Sequence, residues 1–353
     1  MIDLKAILNQ VEEIQKKNIT CIDFGFKRYK DILPGIYKGS SYVILGGVSS
    51  GKTAITLDKF VLQPINFTLT NPQIKLHIDY FQLEETEFRH NLRVISTLGY
   101  RNLGVEYSIK DFLNLKGNKI LLNKTHQFYP LQDAIDKYNE CVSTHYNKTP
   151  MAIKKALISS VKSLQEKGFI HNNDDTYHIV IVDNLKFLQC DNGHNSSKKA
   201  AIDDLCLNIL QEFRQKYGII PVVLQHETED NDDYVINVKG DVVENKLKPS
   251  LKKLSESRYT ADPATHVLGI FTPHRFGIDV YPKLHRDSVG NTIPGYDISK
   301  LRDQYRMIKI LKGRDGDDGK ELSFHFKGAV SSIEELPTIE EFHKNKSLYL
   351  NYK

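Results

Sequence analysis

Eight residues, Gly46-Gly47-Val48-Ser49-Ser50-Gly51-Lys52-Thr53, combine types and spacing that suit one chemistry, the cradling of a polyphosphate. Gly46, Gly47 and Gly51 let the backbone curl so that successive N–H groups face an anion. Lys52 is spaced to reach β- and γ-phosphates, and the Thr53 hydroxyl to ligate Mg²⁺. The pattern G-x-x-x-x-G-K-[ST] carries this meaning when it joins a strand to a helix. Tyr42-Val43-Ile44-Leu45 in front reads as a buried strand, and residues 54–62 behind it as a helix. The segment is expected to hold a nucleoside triphosphate with Mg²⁺ at the helix N-terminus.

Other residues could complete such a site. Asp183 ends the apolar run Ile179-Val180-Ile181-Val182, where an acid can hold the Mg²⁺ through water or simply cap a turn. Hydrolysis also needs a group to orient or deprotonate water. Glu84, after the run 74–80, is the best placed candidate, with Glu85 beside it. Gln225 and His226 end the run Val222-Val223-Leu224, where a polar side chain can touch the γ-phosphate and report hydrolysis to the following loop. Lys312-Gly313-Arg314 follows the last long apolar run; its two cations either decorate a surface turn or reach a neighbour's triphosphate in trans. Basic residues also gather after two strand ends: Lys198 and Lys199, then Lys239, Lys246, Lys248, Lys252, Lys253 and Arg258. Such runs are usually solvated faces. Lining a channel, they would grip the phosphates of a single strand without reading sequence.

The elements that must position these groups are legible as alternating apolar strands and amphipathic helices. Strands are expected at 42–45, 74–80, 177–182, 219–224, 267–272 and 305–311, with 321–326 as an edge strand, partly antiparallel. Helices are expected at 86–98, from Ile153 to a stop at Gly168, and at 198–217. That alternation predicts an α/β fold, one doubly wound, mostly parallel sheet with helices on both faces. Leu4, Ile7, Leu8, Val11 and Ile14 mark a separate amphipathic helix over 1–18, which must dock on something to persist. The domain proper then spans 19–353, with insertions at about 99–150 and 273–304 and a polar, peripheral tail after Leu336.

Composition narrows the class. The 353 residues are 40% hydrophobic and 26% charged, ordinary for a soluble globular chain. No run is long enough to span a membrane, and the first residues lack the pattern of a signal peptide. Cys21, Cys141, Cys190 and Cys206 are widely spaced and read as free thiols in a reducing cytoplasm. A net charge of only +4 leaves any nucleic-acid argument to the local clusters.

Taken in order, these pieces resemble the RecA-like ATPase domain of the DnaB family of replicative hexameric helicases, from about residue 20 to about 336. Phe24-Gly25-Phe26 through Thr53 is similar to the family's opening segment. Phe81-Gln82-Leu83-Glu84 resembles its "SLE" strand ending, which implies Glu84 rather than Glu85 as the catalytic glutamate. Val182-Asp183-Asn184-Leu185 resembles its Walker B "IDYL", and residues 254–267 its "LRESGSIEQDADVV". His226 falls where the family senses the γ-phosphate with Gln or His; a register shift of one keeps Gln225 in play. Lys312-Gly313-Arg314 matches the K-x-R finger. The resemblance implies a homo-oligomer, a hexameric ring as in the family, acting on single-stranded DNA in replication with a loader or primase, in a bacterial host cytoplasm if phage-borne. The family's helical collar domain has no counterpart in these residues, and both insertions are longer than usual. A RecA-like recombinase, or a regulatory or scaffold ATPase without unwinding, is the alternative.

Overall fold

A computed structural model describes residues 19–352 except 116, 118, 229–246, 256 and 315, together with residues 8, 11, 12, 15 and 16. The expected strand–helix alternation closes into a nine-stranded sheet. Its strands are β1 (Tyr42–Gly46), β2 (Lys75–Gln82), β3 (Val142–His145), β4 (Thr176–Asp183), β5 (Ile220–His226), β6 (His266–Phe271), β7 (Tyr305–Gly313), β8 (Glu321–Lys327) and β9 (Ser332–Glu335). The order is β9-β8-β7-β6-β1-β5-β4-β2-β3. The six strands from β6 to β3 are parallel, and β7, β8 and β9 are added antiparallel.

Both faces of the parallel part are covered, which is why its strands are apolar throughout rather than alternating. Along β4, Ile179 and Ile181 enter the core built around Leu57, Phe60 and Val61 of the helical segment after the glycine loop. Val180 and Val182 face the opposite way, into a second core with Ile153, Leu157 and Val161 of the helix Pro150–Glu166 and with Leu205 and Ile209. Period-two alternation thus feeds two helical layers. The three-layer arrangement brings the C-terminal ends of β1, β2, β4 and β5 to one edge, where the candidate site lies.

Three expectations are corrected. The 99–150 excursion is part of the sheet: it delivers β3, which pairs with β2 as the outermost parallel strand. The strand at 321–327 is not at the edge, because β9 pairs outside it. The tail after Leu336 is not peripheral. Ile339, Phe342 and Tyr349 are buried against Tyr281, Tyr296, Ile298 and Leu301 of the 273–304 insertion, forming a core of their own on β6 and β7. All four cysteines are free, and among the described residues no helix is long and apolar enough to cross a membrane. Leu8 and Val11, the described apolar positions of the 1–18 helix, are helical and exposed.

Candidate active site

The glycine loop leaves β1 at Gly46 and enters the helix Lys52–Thr56, as the strand–loop–helix context requires. Gly51 is obligatory here. Its φ is +103°, and a Cβ would stand 2.7 Å from the Phe326 ring. The buried Lys52 ammonium donates to the Gly46 carbonyl at 2.8 Å and the Gly47 carbonyl at 2.9 Å. The Ser50 hydroxyl is buried without a partner among the described residues.

Asp183 ends β4 in full burial. It accepts from Thr53 Oγ1 at 3.2 Å and from the Tyr80 hydroxyl at 2.8 Å. Burial pushes its carboxyl up to about 6, against the pull of those two hydroxyls. Burial likewise pulls Lys52 down to about 8, against the nearby carboxylates of Asp183, Glu84 and Glu227. A cation beside Asp183 and an anion beside Lys52 would each favour the charged form. Thr53 and Asp183 for Mg²⁺, with Lys52, the loop N–H groups and the idle Ser50 hydroxyl for phosphates, therefore fit the pair expected from the sequence.

The two glutamates part company. Glu85 is held by Arg93, eight residues on in the helix Glu87–Leu103, in a two-pronged ion pair. Glu84 is exposed and turned to the site, where Asn184 Nδ2 donates to it at 2.9 Å. The same Asn184 nitrogen lies 3.0 Å from His226 Nε2, and His226 Nδ1 lies 3.3 Å from Lys52 Nζ. Burial, with Lys52 and Lys186 nearby, pulls the imidazole down to about 4 and keeps it neutral.

Gln225 and His226 also divide. His226 faces the site, whereas Gln225 is fully buried on the opposite side of β5. Gln225 Nε2 donates to the carbonyls of Ser255 and Ser257 (2.9 Å to the latter), and its Oε1 accepts from Thr260. The Ser255 hydroxyl donates to the His226 carbonyl at 2.7 Å. The end of β5 is thereby fastened to residues 255–260.

Lys312 and Arg314 do not join this group. They lie where β7 ends, beside the start of β6, at the other end of the sheet. Lys312 donates to the carbonyls of Ala261 and Asp262 at 2.7 and 2.9 Å, and the exposed Arg314 to that of Asp262 at 3.1 Å.

The basic candidates separate as well. Lys199 lies 4.9 Å above the Tyr259 ring, next to the exposed Arg258, and Lys198 caps the Lys186 carbonyl. Lys248 is elsewhere, 3.0 Å from Glu321 at the start of β8 and 5.1 Å above the Tyr281 ring. Lys246 and Lys239 lie outside the described residues.

Sequence reasoning gave no role to Tyr80 or to the bridging Asn184. Two arginines were missed entirely. Arg275 donates to the Val48 carbonyl and Arg306 to that of Ser50 at 2.8 Å, bracing the glycine loop from the 273–304 insertion and from β7. Arg275 sits in a long irregular loop, and Arg306 reads as one strand residue among many.

No family model matches the chain, and no curated protein matches it. Solved structures do. One, described as an ATPase domain, has a TM-score of 0.62 at 18% identity, covering 94% of this chain and 98% of that one. A DnaB-like replicative helicase, described with its interactions with primase, has a TM-score of 0.63 at 18% identity, covering 96% of this chain and 69% of that one. The chain has the RecA-like fold of these DnaB-type helicase ATPase domains.

Proposed function

We propose that this protein is an ATP-driven, ring-forming helicase or translocase that moves on single-stranded DNA. The observation that carries the reading is the two-sided end of β5. His226 touches the phosphate-binding Lys52, while its neighbour Gln225 is clamped to the 255–260 segment that bears Arg258 and Tyr259. A change of charge on one side of the strand is thereby coupled to the loop on the other. In this reading Lys52 and the loop N–H groups bind the triphosphate, and Thr53 and Asp183 hold Mg²⁺, which supplies charge neutralisation at the phosphates. Glu84, oriented by Asn184, takes the proton of the attacking water. Lys198, Lys199 and Arg258, with the Tyr259 ring for stacking, grip the strand.

The distance of Lys312 and Arg314 from their own glycine loop supports a site completed by the next subunit of a ring. The exposed Leu8 and Val11 suit docking of the N-terminal segment on that neighbour. A loader or primase contact is the further expectation. The test is ATP turnover with and without single-stranded DNA, in the wild type and in Gln225→Ala. The proposal expects DNA to stimulate the wild type and Gln225→Ala to keep basal turnover while losing the stimulation. Basal turnover that DNA does not alter would favour a regulatory or scaffold ATPase.

A further inference from the structure

A second group of chemically capable residues lies on the opposite face of β2, away from Tyr80 and Asp183. His77 and Asp79 are two apart on β2 and so share a face. His178 on β4 is the register partner of His77, and His145 ends β3 beside Phe81. All three imidazoles aim Nε2 at one carboxylate: His145 lies 2.7 Å from Asp79 Oδ1, His178 2.7 Å from Oδ2 and His77 3.4 Å from Oδ1. Asp79 is fully buried, and His77 and His178 nearly so. The adenine-nucleotide chemistry described above uses none of them.

We infer that His77, Asp79, His145 and His178 form a binding site for a divalent transition-metal ion, Zn²⁺ by preference, that fastens β3 to the sheet. A fully buried carboxylate needs donors or a cation beside it, and the three imidazole nitrogens around Asp79 can act either as N–H donors to it or, deprotonated, as ligands that share an ion with it. Three nitrogens and one oxygen are the complement of a closed, four-coordinate zinc site. Tetrahedral bonds of about 2.0–2.1 Å set neighbouring ligand atoms roughly 3.3 Å apart. The His77, Asp79 and His178 ligand atoms already lie within 4.8 Å of one another, so these three would close on an ion with shifts of up to about 1.5 Å, and His145, 2.7 Å from Asp79 Oδ1, would complete the set from the rim. Imidazole nitrogen favours zinc, cobalt or nickel over Mg²⁺ and Ca²⁺, which prefer oxygen.

The surroundings agree. With Nε2 committed to the ion, His178 carries its proton on Nδ1, 3.2 Å from His171 Nε2, which fixes the ring. The His145 ring is stacked on Phe81 with centroids 4.7 Å apart. The His145 side chain is 21% exposed and marks the access route. The ion would join three strands, including the one that the 99–150 excursion adds at the sheet edge.

The experiment uses the untagged full chain, stripped with chelator and titrated with Zn²⁺ against a chromophoric competitor. Co²⁺ provides a visible tetrahedral spectrum, and thermal unfolding with and without Zn²⁺ provides a second readout. The expectation is one equivalent per chain and a zinc-dependent rise in midpoint. His145→Ala at the rim and His178→Gln in the interior should both lose the rise. His145→Ala should weaken zinc binding by more than about tenfold, the lower end of what even outer-shell changes cost. Asp183→Asn, in the nucleotide site, should leave zinc uptake intact. Uptake equal in wild type and His145→Ala, whether one equivalent or none, overturns the inference. So does uptake lost only in Asp183→Asn.

Discussion

Arg314 should act on a neighbour's nucleotide and not on its own. His266 at the start of β6 pairs with Gly313 on one side and with Tyr42 on the other. The glycine loop begins four residues further along β1, at Gly46. Four steps of about 3.3 Å and two strand spacings of about 4.8 Å put the finger roughly 16 Å from its own cradle. Its side chain is moreover bound to the Asp262 carbonyl. Arg314→Ala should therefore lower turnover by about a thousandfold or more with little change in ATP affinity, as for fingers supplied in trans. Lys52→Ala, which removes the cradle's cation, should be inert for ATP binding. In an equal mixture, about a quarter of ring interfaces would pair an intact Lys52 with an intact Arg314. The assay is steady-state phosphate release from the two variants alone and after mixing, with mixed rings verified by light scattering of differently tagged chains. Recovery toward that quarter is the expected result. A dead mixture in verified mixed rings, or full turnover by Arg314→Ala alone, would refute the trans assignment.

Glu84→Gln should keep ATP affinity and lower turnover by about 10²–10⁴-fold, whereas Glu85→Gln, which only loosens Arg93, should cost far less; equal losses would mean that Glu84 is not the base. Replacing Lys198, Lys199 and Arg258 with Ala should shallow the salt dependence of single-strand binding by up to about 0.7 per lost phosphate contact. Lys248→Ala, already paired with Glu321, should leave that slope unchanged. His90 is buried against the Tyr138 hydroxyl at 3.0 Å, and burial pulls its folded value down from 6.5 to about 4. The unfolded chain thus binds more protons between those values, so stability is full above pH 6.5 and falls as pH drops towards 4, by about 3 kcal/mol from this group. His171, His226 and His325 act in the same direction, so in thermal melts His90→Asn should flatten the acid slope without removing it; an unaltered slope would show that His90 contributes nothing to it.

The candidate phosphate-binding residues were legible because the chemistry they suit fixes both type and spacing. Gly46 to Thr53 admits little variation, and Asp183 stands out against the fully buried run that precedes it. The parallel strands were legible for a related reason. Cover on both faces turns them into continuous apolar runs. The strand β3 fails that test, since Val-Ser-Thr-His at a sheet edge has one neighbour and no such run. The tail's Ile339, Phe342 and Tyr349 are too sparse to mark a core, because their partners lie in the 273–304 insertion.

Pairs of adjacent polar residues posed a different difficulty. A one-residue step on a strand reverses the side-chain direction, but both faces of β5 are covered. Apolar pattern alone therefore did not separate Gln225 and His226, and the resemblance favoured His226 while a register shift of one kept Gln225 in play; the hydrogen bonds of Gln225 to Ser257 and Thr260 separate them. Glu84 and Glu85 are separated by Arg93, whose reach depends on where the next helix docks. The histidine–aspartate cluster is the extreme case. His77, His145 and His178 are far apart in the chain and carry no spacing signal. They converge because β2 lies between β3 and β4, and the order of strands is what makes three scattered imidazoles neighbours of one carboxylate.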